Sequence, residues 1–224
     1  MSKRIKEAVA KIDKTKVYAV VDAVEAVKAS AKVKFDPSIE LHVNLTIDPK
    51  KTDQSVRANV SLPHGTGKTV RIAAFVADNE VSKAKAAGAD IAGADDLIES
   101  IKQSEKCDFD VAVATPEIMK KLAAIARILG QKGLMPNPKT GTIAPDVTKI
   151  IGELKKGKVS FKNDAGGVIH VACGKASFPS EHLVANIQAF MDAIKAAKPD
   201  SIKGTFIRSV YLTSSMGPSV KMAI

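Results

Sequence analysis

Two hydrophobic patterns, one at both ends of the chain and another between them, limit the folds that this sequence can adopt. Residues 39–47 alternate strictly between apolar and polar side chains, with the apolar ones at odd positions. Such alternation is typical of a strand that buries one face. Residues 55–62 repeat it, residues 168–172 and 204–213 also have strand patterns, and an amphipathic helix carries Leu183, Ile187, Phe190, Met191 and Ile194. The chain ends therefore predict a two-layer α+β domain.

The middle of the chain follows the second pattern. Residues 70–76 and 111–114 are short apolar runs, as in strands of a buried parallel sheet. Helical patterns follow them at 82–87 and 118–129. Because strands and helices alternate, this part of the chain predicts a three-layer, Rossmann-like α/β domain.

The simplest topology combines the two patterns, so the predicted fold class is α/β and α+β with two domains. A discontinuous domain would comprise residues 1–66 and 159–224, and the inserted domain would comprise residues 67–158. Glycine adopts backbone angles that other residues resist, and few contacts restrain a two-segment connection, so glycines near the crossings would form a hinge. These hinge candidates are Gly65, Gly67 and Gly157.

The charge of the chain favours a polyanionic partner. The chain has 34 basic and 24 acidic side chains, a formal net charge of +10. Within the middle, residues 78–117 carry 4 basic and 10 acidic side chains, whereas residues 118–158 carry 9 and 2. One side of the inserted domain should therefore prefer RNA phosphate. With seven Phe, two Tyr and no Trp, the chain suits recognition of a folded RNA better than stacking along a single strand.

The sequence offers no basis for a cofactor, a metal site or enzymatic activity. Residues 65–69 resemble the tail of a phosphate-binding loop, but Leu62 stands where that motif needs glycine, and a strand follows instead of a helix. The four histidines lack metal-ligand spacing; they are His42, His64, His170 and His182. No nucleophile motif is present.

The cysteines and the hydropathy predict a cytoplasmic protein. Cys107 and Cys173 are far apart and fit no paired motif, as expected in a reducing compartment. No segment approaches the roughly 18 apolar residues that span a bilayer, and the basic N-terminus has no apolar region after it. We therefore expect no membrane partner.

Hydroxyl side chains on the predicted strand at 204–213 are the first candidates for RNA contact. Thr205, Ser209 and Thr213 would share one face of that strand, and continued alternation would add Ser215. Hydroxyls donate to phosphate and exchange hydrogen bonds with the ribose 2′-OH. Met216 and Gly217 would then offer an open end to an RNA backbone. The alternative is that Thr is simply a good strand former and that Gly217-Pro218 ends the strand.

Other candidates flank the strand at 39–47. Phe35 would stack on a base or ribose while Lys34 holds phosphate, or Phe35 would be a core residue at the strand entrance. Glu40 would accept from 2′-OH groups or base amines, or would pair with Arg57 or Arg208. Lys175 and Ser177 lie in a short basic turn after His170, and their role is ambiguous from the residues alone.

Four segments resemble one known family. They are LGQKGLMPNPKT at 129–140, SLPHG at 61–65, GKASFP at 174–179 and KGTFIRSVY at 203–211. In order and position they are similar to the bacterial form of the large-subunit ribosomal protein L-one family, and the resemblance covers essentially the whole chain. The first segment also predicts a stiff basic loop, because its prolines fix φ and interrupt helix.

The resemblance implies a fold and a function. It implies two domains, of which the first is built from both chain ends and holds the stalk of the large-subunit ribosomal RNA. The protein would be a structural constituent of the large subunit, a monomer among other ribosomal components and not an enzyme. It would assist movement and release of exit-site tRNA, and it would repress translation of its own operon mRNA.

The resemblance also implies RNA-contacting positions. These match Phe35, Ser38, Glu40, His170, Ser209, Ser215, Met216 and Gly217 here. At positions 38 and 215 the family usually has Thr, so this chain keeps the hydroxyl and loses a methyl group. With the candidates from the residues alone, the predicted RNA-binding set is Lys34, Phe35, Ser38, Glu40, His170, Lys175, Ser177, Ser209, Thr213, Ser215, Met216 and Gly217.

Two rival functions remain at the level of sequence. A nucleotide-binding enzyme with an α/β insert would require a ligand that protects residues 65–69. A nonspecific basic DNA-binding protein would not distinguish a structured RNA from a duplex of equal length.

Overall fold

The chain forms two compact units. The structure, a computed structural model, describes residues 3–10, 12–13 and 15–223, without the side chains of Thr52 and Lys139. The outer unit comprises Met1–Lys68 and Val159–Ile224, and the inserted unit comprises Thr69–Lys158. Both contain helices and sheets, so the predicted mixed α/β and α+β class is confirmed.

The outer unit is built around one antiparallel sheet. In chain order its described helices and strands are α1 (Lys3–Ala10), α2 (Val20–Ser30), β1 (Ser38–Leu45), β2 (Arg57–Ser61), β6 (Lys158–Lys162), β7 (Val168–Lys175), α8 (Ser180–Ala196), β8 (Ile207–Ser214) and β9 (Val220–Met222). The main sheet has the order β7-β1-β8-β9, and β2 pairs with β6 separately. A short 3-10 helix, Thr52–Gln54, precedes β2.

The core of the outer unit follows the predicted patterns. In β1 the odd-numbered side chains are buried and the even-numbered ones are half-buried, which confirms the alternation. Helices α2 and α8 pack on the buried side of the sheet. Helix α8 contributes the predicted apolar stripe, Leu183, Ile187, Phe190, Met191 and Ile194. One face of the main sheet therefore lies against helices, and its other face carries polar side chains.

The inserted unit has three layers. Its strands and helices are β3 (Ile72–Phe75), α3 (Val81–Ala86), β4 (Ile91–Gly93), α4 (Asp95–Ser104), β5 (Val111–Ala114), α5 (Met119–Leu122), α6 (Ala126–Gln131) and α7 (Val147–Lys155). The parallel sheet has the order β4-β3-β5. Three short 3-10 helices are Asp78–Glu80, Ala123–Ile125 and Pro138–Thr140.

Strand β3 shows why this unit needs helices on both faces. All four of its residues are buried. Ala73 and Phe75 join a core with α4 and the segment 118–129, whereas Ile72 and Ala74 join a second core with α3 and α7. A parallel strand covered on both faces is continuously apolar rather than alternating, which explains the apolar run in the sequence.

Several elements differ from the sequence-based predictions. Strand β4 was not predicted, because three residues with Ala and Gly carry no periodic signal. Helices α1 and α7 were also not predicted. The predicted helix at 118–129 is divided by a 3-10 turn, although Ile118, Leu122, Ile125 and Leu129 all stay buried.

The last long strand starts later than predicted. It begins at Ile207, and an irregularity between Asn44 and Leu45 shifts its register against β1. Thr205 therefore lies outside the strand and is exposed, so the prediction that it shares a face with Ser209 and Thr213 was wrong. Among the residues described here, no helix has the length and apolar character needed to cross a bilayer.

Candidate nucleic-acid interface

The face of the main sheet opposite α2 and α8 is polar across adjacent strands. In the register, Glu40 lies opposite Thr213, His42 opposite His170, and Asn44 opposite Ser209. His170 is exposed and the others are half-buried. The sheet thus brings together Glu40, His170, Ser209 and Thr213, which were predicted from separate parts of the sequence.

Three more of the predicted residues lie together at one end of this sheet. Strand β1 starts at Ser38, where β7 ends at Lys175 and β8 ends at Ser214, because both neighbours run antiparallel to β1. Lys175 Nζ donates to Ser38 Oγ at 3.0 Å. The Ser38 amide donates to Ser215 Oγ at 3.2 Å, and the Ser215 amide donates to the Ser38 carbonyl at 2.9 Å. Three predicted residues therefore form one hydrogen-bonded cluster.

Ser215 Oγ donates to the Ser38 carbonyl at 3.5 Å, and two further predicted hydroxyls, those of Ser177 and Thr213, also donate within the protein. Ser177 Oγ donates to Asp36 Oδ2 at 2.7 Å, and the Ser177 amide donates to Asp36 Oδ1 at 3.1 Å. Thr213 Oγ points into the following turn, 3.2 Å from the Ser214 carbonyl and 3.3 Å from the Gly217 carbonyl. A hydroxyl has only one proton to donate. Both side chains therefore stabilise the local structure and can only accept a hydrogen bond from another molecule.

The turn after β8 presents an apolar side chain to solvent. Met216 has φ 62° and is 68% exposed. Gly217 approaches Ser214 so closely that an added Cβ would lie 2.1 Å from Ser214 Oγ. Gly217 is therefore required here by space. Phe35 is 54% exposed, so it is not a core residue, and the alternative of a buried Phe at the strand entrance is wrong.

A histidine pair on the polar face was not predicted. His42 Nδ1 and His170 Nδ1 lie 2.7 Å apart, so one ring donates and the other accepts. His42 Nε2 is 3.9 Å from Glu40 Oε2, and His170 Nε2 is 3.4 Å from Asp164 Oδ2. A polar chain of four side chains thus crosses the face. The sequence signal for it was the placement of His42 and His170 on the outward positions of two strands.

The pair changes the acidity of His42. Partial burial lowers the pKa of His42 below its ordinary value, and charge on His170 lowers it further, whereas Glu40 raises it. Hydrogen bonds from the Val168 and Gly166 amides contribute to the lowered pKa of Asp164. The Asp164 carboxylate beside His170 therefore keeps its charge to a lower pH than a free aspartate does.

We expect His42 to titrate below its ordinary pKa of 6.5. Because the folded pKa is lowered, the unfolded chain binds more protons once the pH falls below about 6.5, and the pair's contribution to stability is lost as the pH falls further. Titration of the histidine ring protons by NMR checks this. His170→Gln should raise the pKa of His42 and Glu40→Gln should lower it further. A His42 pKa at or above the ordinary value would contradict the arrangement.

The predicted hinge glycines all have left-handed backbones. Gly65 has φ 63°, Gly67 has φ 70° and Gly157 has φ 101°. A Cβ on Gly67 would lie 2.9 Å from the Phe178 ring. These angles favour glycine, and the hinge itself stays a prediction.

A buried asparagine holds the segment at 64–65. Asn186 is fully buried within the apolar stripe of α8. Its Nδ2 donates to the Gly65 and Cys173 carbonyls, each at 2.8 Å, and its Oδ1 accepts from the His64 amide at 3.1 Å. The His64 ring also stacks on His182, with centroids 3.7 Å apart. The sequence signal for this contact is a polar residue three positions after Leu183, within an otherwise apolar stripe.

Metal and thiol chemistry find little support in the described part of the chain. There, no three or more His, Cys, Asp or Glu side chains are grouped so that they could hold a metal ion. Burial raises the pKa of the Cys173 thiol to about 12, which keeps it protonated and unreactive. Cys107 is half-buried and also free.

Comparisons with known proteins cover nearly the whole chain. The sequence model of the family described as Ribosomal protein L1p/L10e matches residues 27–218. The large ribosomal subunit protein uL1 of Chloroflexus aurantiacus is 51% identical over 220 residues, 97% of this chain and 93% of the relative. The protein of the same name from Deinococcus radiodurans is 48% identical over 223 residues, 99% and 95% of the two chains. That of Saccharopolyspora erythraea is 47% identical over 219 residues, 98% and 92%.

Proposed function

Because this chain belongs to the Ribosomal protein L1p/L10e family, we propose that its outer unit binds the stalk of the large-subunit ribosomal RNA. The family resemblance that the sequence suggested is confirmed. The relatives are large ribosomal subunit proteins, so the chain is a structural constituent of that subunit and acts at the ribosome. The family is structural and non-enzymatic, which confirms the prediction that the chain is not an enzyme.

The observation that carries the RNA proposal is the cluster of Ser38, Lys175 and Ser215 beside the exposed Phe35 and Met216. A lysine, hydroxyls and exposed apolar side chains at one edge of a polar sheet suit a phosphate–ribose backbone, which offers charge, 2′-OH groups and flat sugar faces. Since these groups come from the ends of three neighbouring strands and from the segments next to those ends, they would recognise a shape rather than an extended strand.

Charge supports this assignment. The outer unit carries 20 basic and 12 acidic side chains, so it holds +8 of the net charge of +10. Counterion release from the RNA then contributes to affinity and makes it salt-dependent. The hydroxyl cluster adds preference for RNA, because DNA lacks the 2′-OH. This distinguishes the proposal from a nonspecific basic DNA-binding protein.

The finer functions follow from the same interface. An mRNA that folds like the stalk would present the same backbone to this interface. By binding such a site in the mRNA of its own operon, the protein would repress translation of that operon. In the inserted unit, residues 118–158 carry 9 basic and 2 acidic side chains and would face RNA or exit-site tRNA during its movement and release. In this proposal the hinge consists of Gly65, Gly67 and Gly157. All three have positive φ angles, which glycine adopts without the strain that a side chain would add.

Two substitutions test the interface. Ser215→Val removes the acceptor of the Ser38 amide, and Phe35→Ala removes an exposed ring. Each is expected to weaken binding of the stalk RNA by about 1–2 kcal/mol while the slope of log K against log salt stays constant, because no phosphate contact is lost. Binding is measured across a salt series with labelled RNA.

Matched variants make this result specific. Ser215→Thr keeps the hydroxyl and should bind as the wild type does. Val21→Ala removes another exposed apolar side chain, from α2 on the helix-covered side of the sheet, and should have no effect. Unchanged affinity in Ser215→Val and Phe35→Ala, together with equal competition by duplex DNA, would refute the interface.

A further inference from the structure

The polar face of the main sheet carries two carboxylates where the RNA is proposed to lie. Glu40, His42, His170 and Asp164 form a chain of contacts across this face. With both histidine rings neutral, the chain has two negative charges and no positive one. Two carboxylates repel a phosphate backbone, so a positive charge on the histidines between them would favour RNA binding.

The contacts within this chain indicate which ring nitrogens carry protons. Asp164 Oδ2 can only accept, and it lies 3.4 Å from His170 Nε2, which therefore carries a proton. In the neutral ring His170 Nδ1 is then an acceptor, and it lies 2.7 Å from His42 Nδ1, which donates to it. His42 Nε2 is left without a proton. Because it lies 3.9 Å from Glu40 Oε2, a proton added there would form an ion pair with that carboxylate.

The pair has room for one further proton and not for two. Protonation of His42 Nε2 keeps the hydrogen bond between the rings, because His42 still donates and His170 still accepts. A second proton would place a donor on both Nδ1 atoms, and two donors cannot share a contact of 2.7 Å. In the free protein partial burial lowers the pKa of His42, and charge on His170 lowers it further. The site for the extra proton is therefore empty at neutral pH.

Among the described residues, few ionisable groups surround His42. Its partners across the strands are His170 in β7 and Tyr211 in β8. The next positions on the same face of these two strands do not ionise, and they are Val168, Ala172, Ser209 and Thr213. Helices α2 and α8 pack on the opposite side of the sheet. The charge on His42 therefore depends on Glu40, His170 and the Tyr211 phenol, and on what binds to the face.

We propose that RNA binding to this face adds one proton to the pair, at His42 Nε2, so that affinity for the RNA rises as the pH falls. The phosphates of the RNA would stabilise the imidazolium, which in turn offsets one of the two carboxylate charges. A ligand that favours the protonated form binds more tightly where protons are more available. This inference rests on the proposed RNA-binding function and adds control by pH to it.

Calorimetry on the intact protein counts the protons. Stalk RNA is titrated into wild-type protein at constant ionic strength in cacodylate and in imidazole, two buffers with different heats of ionisation. Near pH 6 the two heats should differ as expected for uptake of up to about one proton per complex. Affinity should rise by up to about 10-fold per pH unit as the pH falls from about 7 to about 6, which is the limit for one proton, and should become constant above about pH 8.

Variants assign the proton to the pair. His42→Gln cannot take up a proton, so the uptake should disappear, and its loss of affinity relative to wild type should grow as the pH falls. A merely structural role of His42 would cost the same factor at every pH. Glu40→Gln removes the carboxylate beside His42 Nε2, so the uptake should reach its maximum at a lower pH. His182→Gln removes an imidazole from α8, on the other side of the sheet, and should keep the uptake of the wild type.

The outcomes separate this inference from the proposed function. Equal heats in the two buffers, with preference for stalk RNA over duplex DNA preserved, overturn the proton site and leave the proposed function standing. Uptake that survives in His42→Gln also overturns it, because the proton then goes to the RNA or to another group. Loss of any preference for stalk RNA over duplex DNA would instead overturn the proposed function itself.

Discussion

Replacing Asn186 by Leu is expected to lower the free energy of unfolding of the outer unit by about 2–4 kcal/mol. Leucine has nearly the same size, but it cannot replace the three hydrogen bonds that Asn186 makes with Gly65, Cys173 and His64. A buried polar group without a partner costs about 1–3 kcal/mol. The Cys173 carbonyl would bear the full cost, whereas the groups at 64 and 65 are partly exposed and would gain water.

Tyrosine fluorescence reports the unfolding of the outer unit, which contains Asn186. The chain has two Tyr and no Trp, and both Tyr18 and Tyr211 lie in the outer unit. Guanidinium titration followed at this signal therefore reports the outer unit alone. Gln188→Leu, an equivalent exchange on the exposed side of α8, should change stability by less than about 0.5 kcal/mol. Equal stabilities of the two variants would show that Asn186 does not anchor the segment.

Gly217→Ala should reduce affinity for the stalk RNA by about 3 kcal/mol, on the order of 100-fold. The new methyl group would lie 2.1 Å from Ser214 Oγ and 3.2 Å from the Ser214 carbonyl oxygen. Ser214 is buried, and rotating its hydroxyl away would still leave the methyl group 3.2 Å from the Ser214 carbonyl oxygen, so we expect the turn to move. That movement displaces Met216 and Ser215 together, which is why we expect a larger loss than from either single side chain.

A second substitution tests this steric explanation. Ser214→Ala removes the clashing oxygen and, on its own, should be nearly neutral because the hydroxyl makes no hydrogen bond. The double variant Ser214→Ala/Gly217→Ala should recover most of the lost RNA affinity, since the contacts that remain, with the carbonyl oxygen and Cβ of residue 214, are 3.2 and 3.4 Å long. If the double variant binds as poorly as Gly217→Ala, then Gly217 acts by some means other than its space beside Ser214.

The parts of the fold that could be predicted are those with a strong local period. Strand β1 alternates apolar and polar residues without a break, and α8 repeats its apolar residues every three or four positions. Both patterns survive in the structure because each element buries one face. Strand β4 has only three residues, too few for a period to show, and its position follows from pairing with β3.

The partners in the candidate interface could not be predicted in the same way. Asp36 and Ser177 are 141 residues apart, His42 and His170 are 128 apart, and Arg4 and Met216 are 212 apart. Contacts of this kind depend on sheet register and on how the two chain ends meet, and neither leaves a local pattern. The predicted RNA-binding residues themselves came from hydroxyl spacing and family resemblance, and the experiments above test them.

The strand order of the outer unit also bears on how the chain folds as it is synthesised. Strand β1 lies between β7 and β8, so both neighbours of this early strand are translated only after the whole inserted unit. The inserted unit is continuous, from Thr69 to Lys158, and can complete its core first. Until Val168 and the residues after it emerge, β1 has neither of the neighbouring strands with which it pairs. Strand β1 therefore precedes the inserted unit in the chain but reaches its native pairing only after that unit has been made.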